Sequence, residues 1–241
     1  MLTPLKRLFI RLLERKGYWV TFGEPATFTG IVSSFSRRTQ NFFFIQIGAH
    51  DGRKDDPIYE LVQRNRWSGI LVEPQPDVFQ RLKENYAGFS GLAFEQAAIV
   101  AEGTCMPLYR VKDEYAHLFH ADHRTLSSFR PELIIRHLSQ PVDVESALQK
   151  VDAPRLSFSA LLKKHHVTKI DLLQIDVEGY DFQIIRSIDF GQIAPRIIHF
   201  EHAHLRAIEK AECIDFLIAK DYKLVIGAYD ATAFQSKWMY D

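Results

Sequence analysis

Acidic residues stand at the ends of several apolar runs in this chain. The run over residues 42–47 stops at Gly48, and Asp51 and Gly52 follow at once. The run over 69–72 ends in Glu73-Pro74, the run over 172–175 in Asp176-Val177-Glu178-Gly179, and the run over 197–200 in Glu201-His202. Bare glycine backbone at a strand–helix turn lets a ligand lie close to a helix N-terminus, and glycine tolerates the positive φ such turns require. An acidic residue about 20 positions beyond a glycine turn is where a ribose diol is gripped, because a carboxylate accepts from both hydroxyls. Gly48, Asp51 and Gly52 together with Glu73 therefore point to an adenosine-type cofactor. Read alone, the glycine turn is also compatible with an ordinary βα connection, since the full G-x-G-x-x-G fingerprint is missing.

The remaining acids suit proton transfer. A hydroxyl nucleophile must lose its proton in or near the transition state, which calls for a general base within hydrogen-bond reach. The candidates are Asp176, Glu178, Glu201 and His202. Glu201 and His202 are neighbours on an extended segment, so their side chains diverge and one of them faces the cleft. The same Asp/Glu/His set could instead hold a divalent cation that acidifies the hydroxyl. Asp176 also suits a helix N-cap, and both roles are compatible.

These residues need a scaffold that brings strand ends together. Residues 42–47 are almost continuously apolar and rich in aromatic and β-branched types, as in a parallel strand covered on both faces. Helical spacing follows over 57–66, a second strand over 69–72, a second helix over 77–86 with Val78, Phe79 and Leu82 inward, and a third strand over 92–100. This rhythm predicts right-handed parallel crossovers and an α/β fold. A strand over 170–176, a helix beginning near Phe182, a strand over 196–202, a helix over 205–220 and a closing antiparallel hairpin over 222–237 complete the pattern. In such open sheets ligands collect at the carboxyl ends of the strands where their order reverses. That would bring Asp176 and Glu178 into the cleft of Asp51 and Glu73.

Residues 103–143 interrupt the rhythm and read as an excursion over the cleft. Within it, 104–111 suits an extra strand, and 142–151 is ambiguous between strand and helix. His117, His120 and His123 form a histidine-rich tract, but their spacing does not match a structural zinc site and no cysteine is near. Residues 1–40 form an appendage to a domain over 41–241. In it, 4–16 is an amphipathic basic helix that packs on its own domain or, less readily, lies on anionic lipid, and 18–40 reads as a loop-rich lead-in.

Composition bounds the function. Thirty basic and thirty acidic residues cancel, which does not favour a nucleic-acid partner. Two cysteines are too few for a disulfide framework, so a reducing cytoplasm is the expected compartment. No apolar run is long enough to span a bilayer.

Three stretches together, Ile45-Gln46-Ile47-Gly48-Ala49-His50-Asp51-Gly52, Val72-Glu73-Pro74 and Ile175-Asp176-Val177-Glu178-Gly179-Tyr180, resemble the FkbM-type methyltransferases of the S-adenosylmethionine-dependent class I superfamily. The resemblance covers about 42–202. It implies a Rossmann-like fold, a seven-stranded, mostly parallel sheet with the last strand antiparallel and helices on both faces. It implies Gly48, Asp51 and Gly52 around the methionine part of S-adenosylmethionine, Glu73 with Pro74 at the ribose, and Gln96, Ala97 and Ala98 near the adenine. Ser127 and Ser128 resemble a serine pair over the pocket, and Asp176 and Glu178 would stand where cofactor and acceptor meet. His50 departs from the family, which more usually has asparagine there. The activity so implied is methyl transfer to a hydroxyl of a sugar or another small metabolite. The alternatives are a binding or scaffold protein that has lost the chemistry and, less favoured for want of the fingerprint, a nicotinamide-dependent dehydrogenase.

Overall fold

A computed structural model describes residues 27–118, 126–140 and 142–235. Its elements run α1 (Phe28–Ser36), β1 (Phe43–Ile47), α2 (Tyr59–Asn65), β2 (Ser68–Val72), α3 (Pro76–Asn85), β3 (Leu92–Glu95), β4 (Ala98–Ile99) and β5 (Tyr109–Val111). A 3₁₀ turn (Asp113–Leu118), β6 (Ser127–Ser128), α4 (Pro131–Ile135), α5 (Val144–Ala147), β7 (Leu148–Lys150), β8 (Arg155–Leu156) and α6 (Phe158–Lys164) follow. The chain closes with β9 (Leu172–Ile175), α7 (Asp181–Arg186), β10 (Ile197–Glu201), α8 (Ala207–Ala219), β11 (Tyr222–Ile226) and β12 (Asp230–Gln235).

Seven strands form one sheet in the order β11-β12-β10-β9-β1-β2-β3. All are parallel except β12, which runs antiparallel to β10 and β11. The expected mostly parallel sheet with its last strand reversed is therefore present, and helices cover both faces. The apolar runs are continuous because both faces are buried. On one face Ile45, Ile47, Ile70, Val72, Leu173, Ile175, Ile198 and Phe200 pack with Phe158 and Leu161 of α6, Ile184 and Ile185 of α7, and Cys213 and Leu217 of α8. On the other, Phe44, Leu71, Leu172, Ile197 and Phe234 pack with residues of α1, α2 and α3.

The chain leaves β1 in one direction, toward β2 and β3, and later returns to β1's other side with β9 and β10. The strand order reverses between β1 and β9, which pair in parallel from Phe44↔Leu172 to Ile47↔Ile175. A crevice opens at such a reversal, outside the carboxyl ends of the strands.

Four local expectations change. Residues 28–36 are helical instead of loop: Thr27 Oγ1 accepts the Gly30 N–H at 3.1 Å as an N-cap, and Ile31, Val32 and Phe35 enter the core. The Ser, Thr and Gly residues of this segment obscured that apolar face. The strand expected over 92–100 splits. After Glu95 the chain leaves the main sheet, and Ala98–Ile99 pair instead with Arg155–Leu156. The extra strand of 104–111 shortens to β5, and the ambiguous 142–151 segment is both things in turn, one helical turn and then β7, which pairs with β5. The basic helix expected over 4–16, and His120 and His123, lie outside the described residues; His117 Nδ1 bonds the Glu114 carbonyl in the 3₁₀ turn. Among the described residues no helix is long and apolar enough to cross a membrane.

Candidate active site

The turn after β1 is fixed by backbone bonds. The N–H groups of Gly48 and Ala49 both donate to the Val72 carbonyl, at 3.0 and 2.9 Å, and the Asp176 N–H donates to the Ile47 carbonyl at 3.0 Å. Gly48 sits at φ +77°, and a Cβ there would overlap the carbonyl oxygen of Asp176. The ends of β1 and β9 thus touch backbone to backbone, which only glycine permits.

Glu73, at the end of β2, is buried. Its Oε2 accepts the His50 N–H at 3.0 Å and its Oε1 the Gln75 N–H at 2.9 Å. Burial pushes its carboxyl up to about 7, against the pull of those two N–H bonds. His50 adopts the left-handed conformation, φ +57°, that presents this N–H.

A cavity of about 220 Å³ opens at the strand reversal. Gly48, Glu73, Pro74, Ala97, Ala98, Ser127, Asp176 and Glu178 line it, with Gln46, His50, Asp56, Ile99, Leu108, Phe129 and Gln174. Lys54 and Asp55 also line it, so polar and apolar groups share the wall about equally. Gln96 turns the chain between β3 and β4 without lining the cavity, whereas Ala97 and Ala98 do line it.

Other expected residues shape the cavity from behind. Asp51 Oδ1 accepts the N–H groups of Arg53 and Lys54 at 3.0 and 2.9 Å, capping the turn instead of facing the cavity. Gly52 lies at φ +67°, where a Cβ would collide with the side chains of Leu82 and Tyr86. The Ser128 hydroxyl donates to the Glu178 carbonyl at 2.8 Å and accepts the Arg130 N–H at 3.0 Å, bracing the turn that carries Glu178.

The carboxylates of Asp176, Glu178 and Glu201 converge, each offering an oxygen within 4.8 Å of the others. Glu201 and His202 diverge as strand neighbours must: Glu201 joins this cluster, whereas the buried His202 turns away, its Nε2 3.2 Å from the Gly227 carbonyl. The basic partner of the cluster is His204, which the sequence reading passed over. Its Nδ1 is 2.7 Å from Glu178 Oε2 and 2.9 Å from Glu201 Oε2, and these two carboxylates hold its pKa up at about 10. The signal was the spacing Glu201-x-x-His204 in a chain that turns back after its strand. His137 packs edge-on to His204, with ring centroids 5.6 Å apart.

Asp176 keeps a solvent-open face at the cavity. The protein packed around it, then the charges of Glu201, Glu178 and Asp230, raise its pKa well above the carboxylate range, with His204 opposing. A carboxyl so placed is a stronger proton acceptor than an ordinary aspartate, the property that general-base work needs.

Residues 46–224 match the family described as Methyltransferase FkbM domain. Comparison with curated proteins returns no match. Among solved structures, the METTL16 methyltransferase domain shares 11% identity, with 98% of this chain and 80% of that one covered at a TM-score of 0.47. Precorrin-6y C5,15-methyltransferase from Geobacter metallireducens GS-15 also shares 11%, covering 90% and 94% at 0.44. Ribosomal protein L11 methylase from Lactobacillus delbrueckii subsp. bulgaricus shares 9%, covering 86% and 78% at 0.42.

Proposed function

The chain belongs to the FkbM-type family of S-adenosylmethionine-dependent methyltransferases, and on that premise we propose that it methylates a hydroxyl of a small acceptor such as a sugar, with Asp176 as general base. The observation that carries this reading is the place of Asp176. It stands at the contact of β1 and β9, in the wall of the cavity, with its pKa raised well above the carboxylate range by burial and by neighbouring carboxylates.

The cavity residues fit the cofactor. Gly48 offers backbone without a side chain, Glu73 offers a buried carboxylate already oriented by two N–H groups, and Ala97 and Ala98 offer small apolar surface. Gly48, Glu73, Pro74, Ala97, Ala98 and Ser127 would hold it, with Asp51, Gly52, Gln96 and Ser128 fixing the turns behind them. When bound, S-adenosylmethionine supplies an activated methyl group on a sulfonium, so the protein's task is alignment and proton removal. Asp176 takes the proton that the acceptor hydroxyl gives up as its oxygen gains the methyl group. Glu178 and Glu201, bound to the same His204 imidazolium, hold the wall beside Asp176 and keep its charge environment fixed. His202 has no part in the transfer.

A divalent ion between Asp176, Glu178 and Glu201 is the second reading, favoured by the convergence of their oxygens. The His204 imidazolium supports the metal-free form, because it already neutralises part of that cluster. The free thiols of Cys105 and Cys213 suit a reducing compartment such as the cytoplasm.

The test has two parts. Calorimetry with S-adenosylhomocysteine is expected to show one site, and radiolabelled methyl is expected to pass from S-adenosylmethionine to a hydroxylated acceptor, undiminished by a chelator. Absence of cofactor binding at millimolar concentration overturns the reading, whereas binding without transfer across a broad acceptor panel favours a non-catalytic binding protein.

A further inference from the structure

One face of the sheet is polar two pleat rows deep beside the site. The lower row runs across four strands in register: Gln46 opposite Gln174, Gln174 opposite His199, and His199 opposite Thr232. The row above it, at the carboxyl edge, carries Asp176 just past β9, Glu201 on β10 and Asp230 on β12, with Glu201 and Asp230 paired in register. Pleat alternation puts both rows on the same face.

The lower row turns two unpaired acceptors into the cavity, and the upper row is made of carboxylates. Gln46 and Gln174 are more than nine-tenths buried, both line the cavity, and both side-chain carbonyl oxygens are without a partner. The Gln46 amide cannot simply turn over, because its Nε2 donates to Asp56 Oδ2 at 3.2 Å. Buried carbonyls left unpaired cost free energy that a donor in the cavity would recover. Above them stand four carboxylates, Asp176, Glu178, Glu201 and Asp230; His204 is ion-paired with Glu178 and Glu201, and among the described residues no ion pair reaches Asp176 or Asp230. Desolvation by the surrounding protein and then the charge of neighbouring carboxylates raise the pKa of both Asp176 and Asp230, with His204 opposing at the first and His202 at the second.

Resting on the methyltransferase reading above, we propose that the β9–β10–β12 end of the site is the acceptor subsite and that it takes a hydroxylated acceptor bearing a basic amine, an amino sugar or aminocyclitol. A neutral polyol offers one donor per hydroxyl and leaves the excess charge in place. An ammonium offers three donors and a compensating charge, which Glu201 and Asp230 would receive, leaving Asp176 to the reacting hydroxyl while other hydroxyls reach the Gln46 and Gln174 carbonyls.

The experiment uses the wild-type protein loaded with S-adenosylhomocysteine. Glucosamine, N-acetylglucosamine and methyl glucoside are each titrated by saturation-transfer NMR and calorimetry at neutral pH, where the free amine is still largely charged. Glucosamine is expected to bind at least about tenfold more tightly than either analogue, the value of one uncompensated charge contact. Glu201→Gln is expected to remove most of that preference while S-adenosylhomocysteine affinity stays unchanged, and Asp230→Asn, at an exposed site, repeats the test without risk to the core. If the cofactor product binds but the three sugars bind alike or not at all, the inference is overturned and the methyltransferase reading stands. If Glu201→Gln weakens S-adenosylhomocysteine as much as glucosamine, the acidic row belongs to the cofactor and the inference is again overturned. Manganese alone binding tightly and displacing glucosamine would make the cluster a metal site instead. Failure of S-adenosylhomocysteine to bind the wild type removes both readings together.

Discussion

His204 Nδ1 lies 2.7 Å from Glu178 Oε2, so a residue just past the fifth parallel strand of the sheet holds one that follows the fourth. The same nitrogen also reaches Glu201 at 2.9 Å. Both carboxylates favour the charged imidazole and hold its pKa up at about 10, above the ordinary histidine value of 6.5.

His204→Gln keeps the size of the side chain and removes the charge. A histidine whose pKa rises on folding contributes stability that is complete below its unfolded value of about 6.5 and is lost as pH climbs through about 10. The residue is partly exposed, so after allowance for screening the contribution is about 1 kcal/mol, or about 2–4 °C in a protein of this size. Thermal unfolding of the two proteins across pH is expected to show this gap at neutral pH and its closure on the alkaline side. A gap that widens with pH would mean the pair is not an ion pair.

Asp176→Asn should separate stability from activity. A carboxyl whose pKa is raised on folding disfavours the folded state once it ionises, so its contribution is present at low pH and lost as pH rises through its folded pKa. The amide cannot ionise, and the variant is expected to melt at or above the wild-type temperature near neutral pH. Turnover is expected to fall by about 10²–10⁴, the usual value of a general base. In the wild type, kcat/KM is expected to rise with pH through a value above the ordinary carboxylate range, and this limb disappears in the variant. Near-wild-type turnover in Asp176→Asn would remove Asp176 as base.

The sheet was legible because its strands are apolar and stop at glycine or acid, a pattern local in sequence. Glu73, Asp176 and Glu178 were legible for the same reason: a strand end fixes where the next side chain goes. For Asp51 the sequence gives position and not rotamer, and in the structure its Oδ1 takes the N–H groups of Arg53 and Lys54. Helix α1 was hidden because a periodic face of Ile31, Val32 and Phe35 lies among residues that favour turns. His204 was missed because its partners lie on two different strands, and only the reversal of strand order brings them within reach.

With Glu73 at the ribose, as proposed above, cofactor affinity is expected to follow pH. Its carboxyl titrates at about 7 because it is buried, and a ribose diol donates to the ionised form. S-adenosylhomocysteine is therefore expected to bind more tightly as pH rises through about 7, measured by calorimetry in buffers of matched ionisation heat. Glu73→Gln should weaken binding by about 10- to 100-fold on the alkaline side, the value of hydrogen bonds to a charged acceptor, and should flatten the pH dependence. Equal affinity of the two proteins at alkaline pH would place the ribose elsewhere.

Gly48→Ala and Gly88→Ala make a controlled pair. Both glycines have positive φ, +77° and +87°, so an alanine at either site pays a similar conformational strain of about 1–2 kcal/mol. At Gly88 nothing lies within 4 Å of the added methyl group, and strain is the whole cost. At Gly48 the methyl group would overlap the Asp176 carbonyl, which is backbone and cannot rotate aside. Relief requires β1 and β9 to part at their carboxyl ends, which breaks the Asp176 N–H bond to the Ile47 carbonyl. Gly88→Ala is therefore expected to bind S-adenosylhomocysteine like the wild type with a modest loss of stability. Gly48→Ala is expected to lose binding altogether and to unfold at clearly lower denaturant than Gly88→Ala. Equal denaturation midpoints for the two variants would show that the strand ends tolerate separation, and that the site does not depend on the contact between Gly48 and Asp176.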